Sequence, residues 1–338
     1  MRLAAAAVFL LIGTGMHAAE PVTPEPIEEV IVTGEFPGPG MWKVSRPDDA
    51  AGHLMWIVGE PPPLPRRLKW KSGEVEAVLM RSREILLDAA LRVEPDEKIG
   101  VFRGLSLLPS ALKARRNPDD VTLRERLPPD VYARWLVQKK RYLGSGDGVE
   151  KWRPIFAADK LRREAFDDLG LRANGMVWEE VGRLAQRQKK KVTTPNLKFT
   201  FQADQLKARI REFSREPLAD TECFRVTLDL VDALADAATQ ERRARAWATA
   251  DLDALESLPA LPNPNLPCAM ALLDSQVAQD LLPADLREQL HALWVDSAVA
   301  ALAANETTLA IVPLAKLTRP DGYLARLRAK GFTIEPPK

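Results

Sequence analysis

Trp42-Lys43-Val44-Ser45 and His53-Leu54-Met55-Trp56-Ile57-Val58-Gly59 are apolar and β-branched runs split by the polar turn Pro47 to Gly52, and together they read as a β-hairpin. Working outward, a short helix from Glu74 to Ser82 precedes Glu84-Ile85-Leu86-Leu87-Asp88-Ala89-Ala90-Leu91, which reads as a further strand. From about Pro128 to Ala304 the pattern changes to apolar residues three and four apart. It runs through Asp130 to Tyr142, Glu150 to Leu169, Val177 to Gln188, Ala203 to Phe213, Ala219 to Ala237, Glu241 to Ala250 and Pro283 to Ala304. Only Val192-Thr193-Thr194 interrupts it as a short strand. β character returns at Thr308 to Leu314, followed by a helix from Asp321 to Ala329 stopped at Gly331 and by Phe332-Thr333-Ile334. Strands at both ends with helices between them predict an α/β fold of α+β-like character. A central mixed sheet is built from the N- and C-terminal segments and capped by a large helical region over about 128–304. Residues 41–338 are therefore read as one domain.

The composition narrows the chemistry. Three histidines occur in 338 residues, and His17 lies in a segment read as cleaved, which leaves His53 and His291. That count excludes the commonest metal clusters and most imidazole-driven nucleophile activation. Lys and Arg total 48 against 47 Asp and Glu, so no global field attracts nucleic acid, and none is expected as a partner. The basic runs Arg66-Arg67-Leu68-Lys69, Lys139-Lys140-Arg141 and Lys189-Lys190-Lys191 read as solvated helix faces and loop rims. No Gly-x-Ser-x-Gly, Walker or His-Glu-x-x-His pattern occurs. Gly144-Ser145-Gly146-Asp147-Gly148 lacks a following lysine and reads as a connection between helices. Trp135, Trp178, Trp247 and Trp294 fall within helical patterns and are expected in the core.

The N-terminus carries Met1-Arg2 and then an apolar run from Leu3 to Gly15, in the range of about 7–15 residues of a secretory signal and short of the about 20 of a membrane span. Residues 1–19 are accordingly read as a signal peptide, with no transmembrane segment in the mature chain and a periplasmic or secreted location. Residues 20–40, rich in Pro, Glu and Gly, read as a disordered or extended linker. Within it, Glu28-Glu29-Val30-Ile31-Val32-Thr33-Gly34 is similar to the short energy-coupling box of TonB-dependent receptors, or is an incidental edge strand. Cys223 and Cys268 are the only cysteines. In an oxidising compartment they form either one disulfide or two separate buried thiols.

Taken in order, Trp42-Lys43-Val44, Leu54 to Gly59, Leu64-Pro65, Trp70-Lys71-Ser72 through Val75 and Ala77-Val78, Trp247-Ala248-Thr249-Ala250-Asp251-Leu252-Asp253-Ala254-Leu255, Asp321-Gly322-Tyr323-Leu324 and Leu327 to Ile334 form a pattern. It resembles the TraB/GumN family, which is related to the Tiki metalloproteases. That family carries a Gly-x-x-His loop after the first hairpin, a second Gly-x-x-His after the C-terminal strand, and then Asp-Gly-Leu at the start of a helix. In this chain Gly59-Glu60 persists but Pro62 stands at the first histidine. Lys316 stands at the second, with Pro313 at the glycine before it. Proline has no side-chain donor and an ammonium repels a cation, so the resemblance implies a degenerate site at Gly59, Glu60, Pro62, Asp88, Pro313 and Lys316, with no metal and no cofactor. Asp88 aligns with a family carboxylate, and Asn196 replaces a family glutamate. Lys316 either points toward Asp88 or Glu60 and substitutes for the missing cation, or lies on a mobile loop. The resemblance implies an exported, non-catalytic binding or accessory protein of the cell envelope, linked to exopolysaccharide, its partner an unidentified ligand or envelope protein. The alternative is a hydrolase or peptidase using Glu60 and Asp88 as acid and base.

Overall fold

The computed structural model describes residues 36–98, 101–172 and 175–337. The signal segment and the Glu28 to Gly34 box lie outside these residues. Phe36 to Gly40, at the end of the segment read as linker, is tied to the domain. The Lys71 amide donates to the Phe36 carbonyl and the Gly38 amide donates to the Ala248 carbonyl.

Among the described residues ten strands are formed: β1 Met41–Ser45, β2 Leu54–Glu60, β3 Leu64–Pro65, β4 Glu84–Leu87, β5 Ala90–Pro95, β6 Leu171–Arg172, β7 Lys191–Thr193, β8 Asn196–Phe201, β9 Thr307–Pro313 and β10 Thr333–Glu335. Six build the main sheet in the order β10-β1-β2-β9-β4-β7. The hairpin β1–β2 and the β1–β10 pair are antiparallel, while β2–β9, β9–β4 and β4–β7 are parallel. The sheet is mixed and joins the two ends of the chain, as the sequence predicts. Its middle strand, β9, is buried without interruption from Thr308 to Val312, as a parallel strand covered on both faces requires.

Alternation along β9 divides the core. Ala310 and Val312 face Trp294, Val295, Ala298 and Leu302 of the helix Leu286–Ala304. Leu309 and Ile311 face Val75, Val78 and Leu79 of the helix Gly73–Arg81 and Val177 and Val181 of the helix Met176–Arg187. A separate core of the helical region gathers Leu123, Val131, Trp135, Leu161, Phe224 and Leu228. Trp135, Trp247 and Trp294 are buried, whereas Trp178 is half-buried. Cys223 and Cys268 are bonded to each other, tying the helix Thr221–Leu234 to the helix Asn265–Leu273.

Several sequence boundaries move for local reasons. The single strand expected over Glu84 to Leu91 is two strands: it breaks at Asp88-Ala89, where β5 leaves the sheet to pair in parallel with β8. The helix expected over Ala219 to Ala237 ends at Leu234, because Asp236 caps the next helix by accepting from the Thr239 amide at 3.3 Å. The helix Val101–Ala114, which contains Pro109, has no counterpart among the elements expected from the sequence.

Candidate functional site

The parallel strands β2, β9 and β4 all end at one edge of the sheet, the edge at which ligands of open α/β sheets collect. Gly59 and Glu60 finish β2, Pro313 finishes β9 opposite Glu60, and Asp88 follows β4. Lys316 sits in the single helical turn Leu314–Leu317 that leaves β9. The approach between this turn and β2 is close: a Cβ on Gly59 would lie 2.6 Å from Leu314 Cδ1. The Gly59 carbonyl accepts from the indole Nε1 of Trp247 at 3.1 Å, which fixes the strand end to the helix Ala237–Ala248.

Lys316 points to Asp88. Its Nζ donates to Asp88 Oδ2 at 2.6 Å, with the two side chains 37% and 23% exposed. The other carboxylate oxygen accepts from Tyr323 Oη at 2.7 Å. Tyr323 is fully buried at the start of the helix Tyr323–Ala329, its ring stacked on Trp294 at 4.0 Å and edge-on to His291 at 5.5 Å. Burial, and then the charge and hydrogen bond of Asp88, push the tyrosine hydroxyl well above its ordinary range, so it stays protonated and donates to Asp88. His291 is buried. Desolvation, followed by the nearby cations Arg326, Lys316 and Arg287, lowers its pKa and leaves the imidazole neutral at pH 7.

Glu60 is engaged elsewhere. Its Oε1 accepts from the Val177 amide at 2.9 Å, at the N-terminus of the helix Met176–Arg187. Burial raises its pKa, against the opposing effect of the Val177, Met176 and Trp178 amides and of Arg172. With β9 between β2 and β4, the backbones carrying Glu60 and Asp88 stand about 10 Å apart, and the two carboxylates share no hydrogen-bond partner. Pro62 is half-buried in the loop after β2. Asn196 opens β8 and accepts from Arg92 Nε at 3.1 Å.

The donor set does not suit a divalent metal. Pro62 offers no lone pair from its side chain, Lys316 brings a fixed positive charge onto the Asp88 carboxylate, and Glu60 is spent on a helix terminus. Among the described residues, no group of three or more His, Cys, Asp or Glu side chains is placed to hold a metal ion. Tyr323 is the member of this cluster that sequence reasoning does not select. It stands at the leucine of the Asp-Gly-Leu pattern, and on an amphipathic helix a tyrosine at an apolar position reads as core. The signal for its role was its departure from that pattern together with Lys316, because both altered residues converge on Asp88.

A family model described as the TraB/PrgY/gumN family matches residues 40–336. No curated protein and no solved structure matches the chain. No helix among the described residues is long and apolar enough to cross a membrane.

Proposed function

Since the chain belongs to the TraB/PrgY/gumN family, we propose from that premise that it is a non-catalytic member, acting as a binding or accessory protein of the cell envelope after export. The observation that carries this reading is the 2.6 Å contact of Lys316 with Asp88. A permanent cation of the chain itself occupies the place where the family resemblance puts a metal-binding imidazole, and the carboxylate it neutralises is saturated on its other oxygen by Tyr323. The disulfide is compatible with an exported protein. The ligand is a small molecule or peptide of the envelope, and a link to exopolysaccharide rests on the family's association alone.

Thermal unfolding of the purified protein with and without Mn²⁺, Co²⁺ or Zn²⁺ tests the reading. No shift is expected, whereas an ion held specifically by the folded state at about 100 times its dissociation constant would add about 2.7 kcal/mol. A stoichiometric divalent ion in the purified protein, or peptide cleavage abolished by a chelator, would overturn it in favour of a hydrolase. Cleavage that is insensitive to chelator and lost in both Glu60→Gln and Asp88→Asn would overturn it in favour of the two-carboxylate alternative.

A further inference from the structure

The ribbon of β5 and β8 grows directly out of the strand-end cluster, since Asp88 precedes β5 and Asn196 opens β8. Its in-register pairing sets Leu91, Val93 and Pro95 beside Leu197, Phe199 and Phe201 on one face. Arg92 and Glu94 lie beside Lys198 and Thr200 on the other. Parallel strands are ordinarily covered on both faces. Here Leu91 is 36% and Val93 41% exposed, and none of the six apolar residues joins a buried core cluster.

The backbone polarity of β5 can be read from its ends. The Ala90 amide donates to the Pro195 carbonyl and the Asp96 amide to the Phe201 carbonyl, both at 2.9 Å. Alternation then turns the backbone groups of Arg92 and Glu94 toward β8 and leaves the amides and carbonyls of Leu91 and Val93 on the outer edge, which no other strand among the described residues pairs. Pro95 takes the next outward position, where its missing amide costs the ribbon nothing. The opposite edge, on β8, carries Lys198, a residue that discourages strand addition. The β5 edge carries one partial guard, Pro95, whose missing amide removes one hydrogen bond from each end of a paired ribbon but leaves the amides and carbonyls of Leu91 and Val93 available.

We propose that β5 is a self-association edge, on which two copies of this chain pair antiparallel about a twofold axis through Val93. In that register the two Val93 residues exchange a pair of hydrogen bonds, and each Leu91 amide donates to the Pro95 carbonyl of the second copy. Arg92 of each copy then lies opposite Glu94 of the other, twice over. In one copy alone, and among the described residues, Arg92 has a 3.5 Å contact with its own Glu94 and the bond to Asn196. The charge order of the strand is thus its own complement, and the registers shifted by two residues are penalised because they set Arg92 against Arg92 or Glu94 against Glu94. Leu91 and Val93 of both copies meet on one face and lose water together. The paired edge is short, in the class of interfaces below about 1,200 Å² that give weak, micromolar association. Val93 is five residues beyond Asp88, about 16 Å along an extended strand, so the pairing places two strand-end clusters on one continuous sheet.

Sedimentation velocity of the purified chain over about 1–500 µM is expected to show a monomer–dimer equilibrium. Arg92→Glu and Glu94→Arg should each weaken it by about tenfold or more, because each sets like charges opposite one another. An equimolar mixture of the two variants, or the double swap in one chain, should restore it. Both positions are exposed, so unchanged circular dichroism is expected to show that the variants fold. A wild type that stays monomeric throughout, single variants that dimerise as the wild type does, or a mixture no stronger than its components would each overturn the proposal.

Discussion

Replacing Lys316 by methionine removes the cation from Asp88 while keeping the length of the side chain. Fully exposed ion pairs contribute about 0.2–1 kcal/mol, whereas breaking a buried pair costs about 3–5 kcal/mol. With side chains 37% and 23% exposed, the Lys316–Asp88 pair falls between these limits. Tyr323 continues to donate to Asp88 at 2.7 Å and limits the loss. The expected cost of Lys316→Met is therefore about 1–2 kcal/mol, seen as a fall in Tm of about 2–4 °C for a domain of this size. Asp88→Asn is expected to cost about 1 kcal/mol, because it strands a half-exposed ammonium and weakens the acceptor for Tyr323. The informative quantity is their combination. If the two residues act chiefly through each other, the double variant should lose about 1 kcal/mol less than the sum of the singles. Urea unfolding followed by tryptophan fluorescence measures all four species. Additivity to within about 0.3 kcal/mol would refute the argument that the lysine stands in for a cation at this carboxylate.

Three further outcomes follow from the geometry. A Cβ on Gly322 would lie 2.5 Å from the Lys316 carbonyl oxygen and 2.9 Å from those of Leu317 and Arg319, all of them backbone. Gly322→Ala should therefore cost about 2–3 kcal/mol in urea unfolding, and more than Gly59→Ala, which meets a movable leucine methyl; the reverse ranking would contradict the close backbone packing of this turn. The Cys223–Cys268 bond closes a separation of 45 residues, so alanine at both positions should cost about 4 kcal/mol, and mass analysis without reductant should find no free thiol in the wild type. Glu60 has a raised pKa in the folded state, so its contribution to stability is fully present in acid and is lost as pH rises through that raised value. Glu60→Gln, which stays neutral and still accepts from Val177, should gain in stability relative to wild type between about pH 4 and pH 7. A relative loss over that range would show that the charged form is the favoured one.

Much of the framework was legible because alternation and helical spacing are strong local signals. The hairpin β1–β2, the buried run of β9 and the helices that cover it were all open to sequence reading. The break at Asp88 was not, since Ile85 to Leu91 continues an apolar pattern and the turn is set by Lys316 and Tyr323, both more than two hundred residues away. The loss of metal-binding imidazoles at Pro62 and Lys316 could be read from residue chemistry, but whether Lys316 faced Asp88, Glu60 or solvent could not. Spacing also left the cysteine pairing open, because the meeting of Cys223 and Cys268 depends on how two helices pack. The β5–β8 ribbon escaped notice for a similar reason: each strand is short, and only their pairing in register reveals one greasy and one charged face.

The central position of β9 sets the order in which the molecule can be completed. Both of its neighbours, β2 and β4, are made some two hundred residues earlier and face each other across a gap that only Thr307–Pro313 can fill. Until these residues arrive, two inner strand edges stay open and Lys316, in the turn that follows them, has no scaffold. A chain cut short before them is left as unfinished goods, easily recognised by proteases.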